Sequence, residues 1–122
     1  MKSYKDLEIY TTAFSLAEKV HKMSLKLPKY ELYEQGSQIR RSSKSIKDNI
    51  VEGYGRRKYK ADFIKFLIYA HASLLECISQ LEMIKKLHKI ENVEELLVDY
   101  ERLGGKLYNF IKYVEKDWKT SK

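Results

Sequence analysis

Proline occurs once, at Pro28, and glycine five times in 122 residues. So few chain-breakers leave little room for the frequent turns of a sandwich or barrel, and they favour long helices. Cysteine is also single, which excludes an internal disulfide and suits a reducing compartment. The longest uncharged apolar run, Phe66 to Leu75, falls well short of the ~20 residues that a membrane span needs. The opening Met1-Lys2-Ser3-Tyr4-Lys5-Asp6 is polar rather than leader-like, so a cytoplasmic chain without a membrane anchor is expected. A chain of this size makes a single domain, 1–122, that buries about two-thirds of its unfolded surface around one core.

Tyrosine and charge are abundant instead. Ten tyrosines supply large amphipathic contact area and hint at interfaces, without choosing between protein and nucleic acid. Apolar residues recur at steps of three and four in four segments, the period of packed helices. The first, about 6–27, carries Ile9, Ala13, Leu16, Val20, Met23 and Leu27 and stops at Pro28. The second, about 34–52, is marked by Ile39, Ser43, Ile46 and Ile50 and is expected to end at Gly53 and Gly55. The third, about 59–89, keeps its seam from Phe63 through Leu74 to His88. Asn92 and Glu95 read as a capping box opening the fourth, about 93–118, whose seam runs from Leu96 to Val114. The fold class is therefore all-α: an up-down-up-down antiparallel four-helix bundle, with the near-3.5 step favouring left-handed crossings.

Two segments have more apolar width than one seam uses. Tyr10 and Phe14 on the first, and Ile64, Ile68, Leu75 and Ile78 on the third, form second stripes that a monomer would leave open. A homo-oligomer assembled through those stripes is expected.

The net charge of +7 is unevenly placed. Between residues 37 and 60 stand Arg40, Arg41, Lys44, Lys47, Arg56, Arg57, Lys58 and Lys60 against only Asp48 and Glu52, a net +6 that leaves +1 for the rest. Such asymmetry suits an anionic partner. Helical spacing puts Arg40, Lys44 and Lys47 on one face, away from the seam. Tyr54 and Tyr59 interleave with the later cations and are read as platforms for unpaired bases, while the cations bind phosphates of RNA or DNA with little sequence preference. A solvated face, or an acidic protein partner on a purely structural scaffold, would use the same charges.

The run Gln38-Ile39-Arg40-Arg41-Ser42-Ser43-Lys44-Ser45-Ile46, continuing through Asn49-Ile50-Val51-Glu52-Gly53-Tyr54-Gly55-Arg56, closely resembles the signature of the four-helix bundle proteins encoded in ribosomal-RNA intervening sequences. Asp6-Leu7-Glu8-Ile9-Tyr10 and the stretch from Phe66 to Glu76 look like that family too. The family is similar to the accessory variability determinant of diversity-generating retroelements, a basic homopentamer that works with a reverse transcriptase and nucleic acid. The resemblance implies a pentamer and a nucleic-acid role, and a reverse transcriptase or other protein is the candidate protein partner. Lys47 stands where the family commonly has proline, and Lys44 where it has a small or apolar residue; both add charge to the second helix.

No catalytic constellation is visible. Glu18-Lys19-Val20-His21 gives one Glu-x-x-His spacing, but neither His71 nor His88 has a glutamate three residues earlier, so no di-iron site, other metal or cofactor is expected. Gly53-Tyr54-Gly55 lacks the Walker and dinucleotide spacings. His71 and His88 read as surface or interface residues, Cys77 as core, and Asn49 and Glu52 as buried hydrogen-bonding partners that fix register. A non-enzymatic, nucleic-acid-binding accessory bundle is the expected function.

Overall fold

Steps of three and four bring one apolar face onto each segment, and only helices packed face to face hide all four. The computed structural model describes residues 3–119, in which α1 (Glu8–Ser24), α2 (Gln35–Gly55), α3 (Lys60–Leu87) and α4 (Val93–Asp117) form an all-α four-helix bundle. Each helix packs on its sequence neighbours and α4 closes back on α1; the α2–α3 contact is the most extensive and α1–α4 the least. The short connections 56–59 and 88–92 leave successive helices no choice but to run antiparallel. Single 3₁₀ turns, Tyr4–Asp6 and Lys29–Glu31, flank α1.

The core is the set of seams read above. Ile39, Ile46 and Ile50 of α2 and Leu67, Leu74 and Leu81 of α3 are all at most 1% exposed. Cys77 is buried among them, and burial pushes its thiol up to about 11, so it stays protonated and inert. The hydroxyl of Tyr100 is buried beside that thiol. Between α2 and α3 the fit is close because the facing side chains are small. Ser45 and Ser73 share a hydrogen bond at 2.8 Å, and Ser42 donates to Gln80 Oε1 at 2.6 Å.

Three helix ends differ from those expected. α2 runs through Gly53 to Gly55, and no glycine among the described residues has positive φ. Gly53 serves the helix contact instead: a Cβ there would stand 3.2 Å from the Phe63 carbonyl oxygen and 3.2 Å from Phe66 Cβ. Asn92 makes no side-chain cap bond, so the capping box is absent; it turns the chain into α4 in the left-handed conformation (φ 73°), which asparagine tolerates well. α1 stops at Ser24, before Pro28, where the Ser24 hydroxyl is fully buried and donates to the His21 carbonyl at 2.7 Å.

Leu74 tests the inward face of the longest helix. Leu74→Ala should lower stability by about 2–5 kcal/mol in denaturant melts; a loss below about 0.5 kcal/mol, the level of an ordinary surface change, would show that this face does not carry the core.

Candidate nucleic-acid interface

The two flanks of α2 have opposite chemistry. Serines and Asn49 look toward α3, while Arg40, Lys44 and Lys47 look toward α1. Arg40 is not a surface cation. Its Nη1 donates to Ser24 Oγ at 2.8 Å and its Nη2 to the Leu32 carbonyl at 2.7 Å, tying the 25–34 connection to both helices. Gly36 leaves the space for it, since a Cβ there would stand 2.9 Å from Arg40 Nη1. Lys47 is half-buried, its ammonium 2.7 Å from Asp48 and 5.8 Å above the Phe14 ring.

At the far end of α2 the charges are also partly engaged. Arg56 pairs with Glu52 at 2.8 Å and with Asp62 at 3.6 Å, and those partners, the Glu52 hydrogen bond foremost, raise its pKa. Arg57 donates to the Tyr54 carbonyl at 3.0 Å and lies 4.0 Å over that ring. Tyr54 itself is only 6% exposed and packs edge-on to Phe63, so it is a core residue and cannot offer a face to a base. Its sequence setting among cations hid the inward direction. Tyr59 is well exposed, with Lys58 over its ring. Arg41, Lys44 and Lys58 are exposed and Lys60 half-buried, and none of the four has an acidic partner among the described residues.

Glu52 is exposed in its pair with Arg56 and is not a buried register residue. Asn49 is half-buried and donates to the Ser45 carbonyl at 2.9 Å and to Ser45 Oγ at 3.0 Å, supporting the serine that reaches α3. Of the second stripes, Phe14, Ile68 and Leu75 are exposed, whereas Ile64, Ile78 and Tyr10 are half-covered; Tyr4 packs edge-on to Tyr10 at 4.8 Å.

One feature has no sequence signal. His88 is not on the surface: its Nε2 lies 2.7 Å from Glu31 Oε2, both side chains are 10% exposed, and Gln35 donates to the same oxygen at 2.7 Å. The partners are 57 positions apart, so no spacing rule joins them. Among the described residues, no three metal-ligating side chains converge, and no helix is long and apolar enough to cross a membrane.

Residues 5–109 match the family described as 23S rRNA-intervening sequence protein. A crystal structure of a protein with unknown function from the S23 ribosomal protein family of Bacteroides thetaiotaomicron superimposes with a TM-score of 0.72. It is 24% identical, over 85% of this chain and 95% of that one, a likeness that carries the fold alone. No curated protein matches the chain.

Arg40 and Lys44, two of the three cations on this flank, should separate on mutation. Arg40→Ala removes two charge-assisted bonds and leaves Ser24 buried, so thermal or urea unfolding should report a loss of about 1–3 kcal/mol. Lys44→Gln should change stability by less than about 0.5 kcal/mol. Equal effects would mean that Arg40 is not holding the connection.

Proposed function

The chain belongs to the 23S rRNA-intervening sequence protein family, and on that premise we propose that it is a non-enzymatic accessory protein that binds nucleic acid through α2 and assembles with copies of itself through α3. The observation that carries the first part is the placement of Arg41 and Lys44 on the exposed side of α2 with no acidic partner among the described residues. Unpaired cations in a row bind a polyanion by releasing its condensed counterions. Lys58 and Lys60 lie beyond the end of the same helix, about 17 Å or more along the axis from Lys44 at 1.5 Å per residue. A strand must therefore run along α2 to touch both groups. Arg40 and Arg56, engaged within the fold, take a smaller part than their charges suggest.

Anisotropy of labelled RNA and DNA across a salt series tests this reading. Replacing Arg41 and Lys44 with glutamine should reduce the magnitude of the slope of log affinity against log salt by about one to two units, since each lost phosphate contact removes ~0.7–0.9. Equal slopes would take the α2 face out of the interface. Absence of binding at low salt would favour a scaffold that meets only an acidic protein.

Assembly rests on the outer stripe of α3, where Ile68 is 50% and Leu75 55% exposed. Sedimentation equilibrium should give a mass several times 14.5 kDa, the resemblance pointing to five copies, and Ile68→Glu with Leu75→Glu should return it to 14.5 kDa. A wild-type monomer would end the assembly proposal.

A further inference from the structure

Between α1 and α2 runs a groove whose floor is Phe14 and Ala17 and whose rim carries His21, Lys22, Lys44 and Lys47; Glu18 lines it as well, and Asp48 pairs with Lys47 at its edge. A second hollow, lined by Tyr4, Lys5 and Tyr10, meets it at Phe14. Tyr4, Tyr10 and Phe14 stand in a row, their ring centroids 4.8 and 6.1 Å apart. Phe14 is 44% exposed, although the alanines on either side of it in α1 are buried. The groove has a volume of about 300 Å³, at the small end for ligand clefts, so it admits one nucleotide rather than a helix.

Exposed rings bordered by cations hold single strands: a base of any kind stacks on the ring while neighbouring phosphates meet the cations. A duplex keeps its bases in their own stack and can reach only the rim. Glu18 adds a further discrimination. A carboxylate among these lysines repels phosphate but accepts a hydrogen bond from a ribose 2′-hydroxyl, which DNA lacks. Resting on the function proposed above, the geometry points to this groove as a seat for unpaired RNA, with a splayed base on Phe14, phosphates at Lys22 and Lys44, and the ribose at Glu18.

The test is anisotropy with a short labelled oligouridylate, its deoxy counterpart and an RNA duplex, alongside sedimentation of each variant. Phe14→Leu should weaken oligouridylate binding by about 5- to 150-fold, the worth of one stacked base, and leave the duplex affinity and the sedimenting mass unchanged. Phe14→Tyr, which keeps an aromatic face, should bind as wild type does. Glu18→Gln should narrow the preference for oligouridylate over its deoxy counterpart. If the wild type binds but Phe14→Leu weakens every probe alike or none, or Phe14→Tyr loses as much as Phe14→Leu, the groove is not a stacking site and the α2 reading stands without it. A fall in mass for Phe14→Leu would place the ring between copies and overturn the assignment. Equal wild-type affinity for the ribose and deoxyribose strands would overturn the choice of RNA. Failure of the wild type to bind any probe would remove the α2 reading and this one together.

Discussion

The contact between α2 and α3 is close because its side chains are small. Ser42, Ser45 and Gly53 face Gln80, Ser73 and the backbone at Phe63, and the hydroxyls bond across the gap. α2 has only three isoleucines fully in the core, so apolar burial alone holds it less firmly than its neighbours. Each hydroxyl bond adds on the order of 1 kcal/mol net, and each fixes a rotation as well as a distance. Once one flank of α2 is set against α3, the opposite flank has to face α1 with whatever residues it carries. Those residues are Arg40, Lys44 and Lys47.

Charge is used for structure before it is available for anything else. Arg40 fastens the connection between α1 and α2 at one point, and the Glu31–His88 pair fastens it to the end of α3 at another. Buried polar groups hold a segment in one place only while their partners remain, since a buried donor or acceptor left unpaired costs free energy. The 25–34 segment, with Leu27 as its buried apolar anchor, thus depends on polar contacts that cannot slide. At the other end of α2, Arg56 and Arg57 close the helix: cations there complement the carbonyl end of the helix dipole and cover Phe66 and Tyr54. The basic stretch is therefore two groups, one in the first half of α2 and one at its far end, each with some members engaged and some free.

The seams were legible in the sequence because burial follows helical period, and Ile39, Leu74 and Leu103 lie where the steps of three and four place them. The ends were less so. Glycine at Gly53 signals either a left-handed turn or a close approach, and only the position of α3 decides. Asn92 and Glu95 have the spacing of a capping box, but asparagine is equally suited to the left-handed turn it makes. In the candidate site, periodicity assigned Arg40, Lys44 and Lys47 to an outward face, and of the three only Lys44 is exposed. It could not show that Arg40 reaches a carbonyl eight residues back, or that Tyr54 turns inward to Phe63, because both depend on a partner element. Glu31 and His88 were beyond any local rule.

The apolar surface left over divides unequally between α1 and α3. Tyr4 covers part of Tyr10, so the second stripe of α1 reduces to the ring of Phe14 set among cations. A phenylalanine buries at most ~250 Å², a fraction of the ~800 Å² that each partner contributes to a stable interface. On α3, Ile68 and Leu75 continue through the half-exposed Ile64 and Ile78 into a face several turns long, which is the shape that association requires. The bundle order puts α3 diagonal to α1. Copies that meet on the outer face of α3 would leave the α1–α2 groove open to solvent, and a ring of them would present that groove once per protomer. Contacts too weak to hold a strand singly would then act together, with assembly and strand binding drawing on different faces of the same helices.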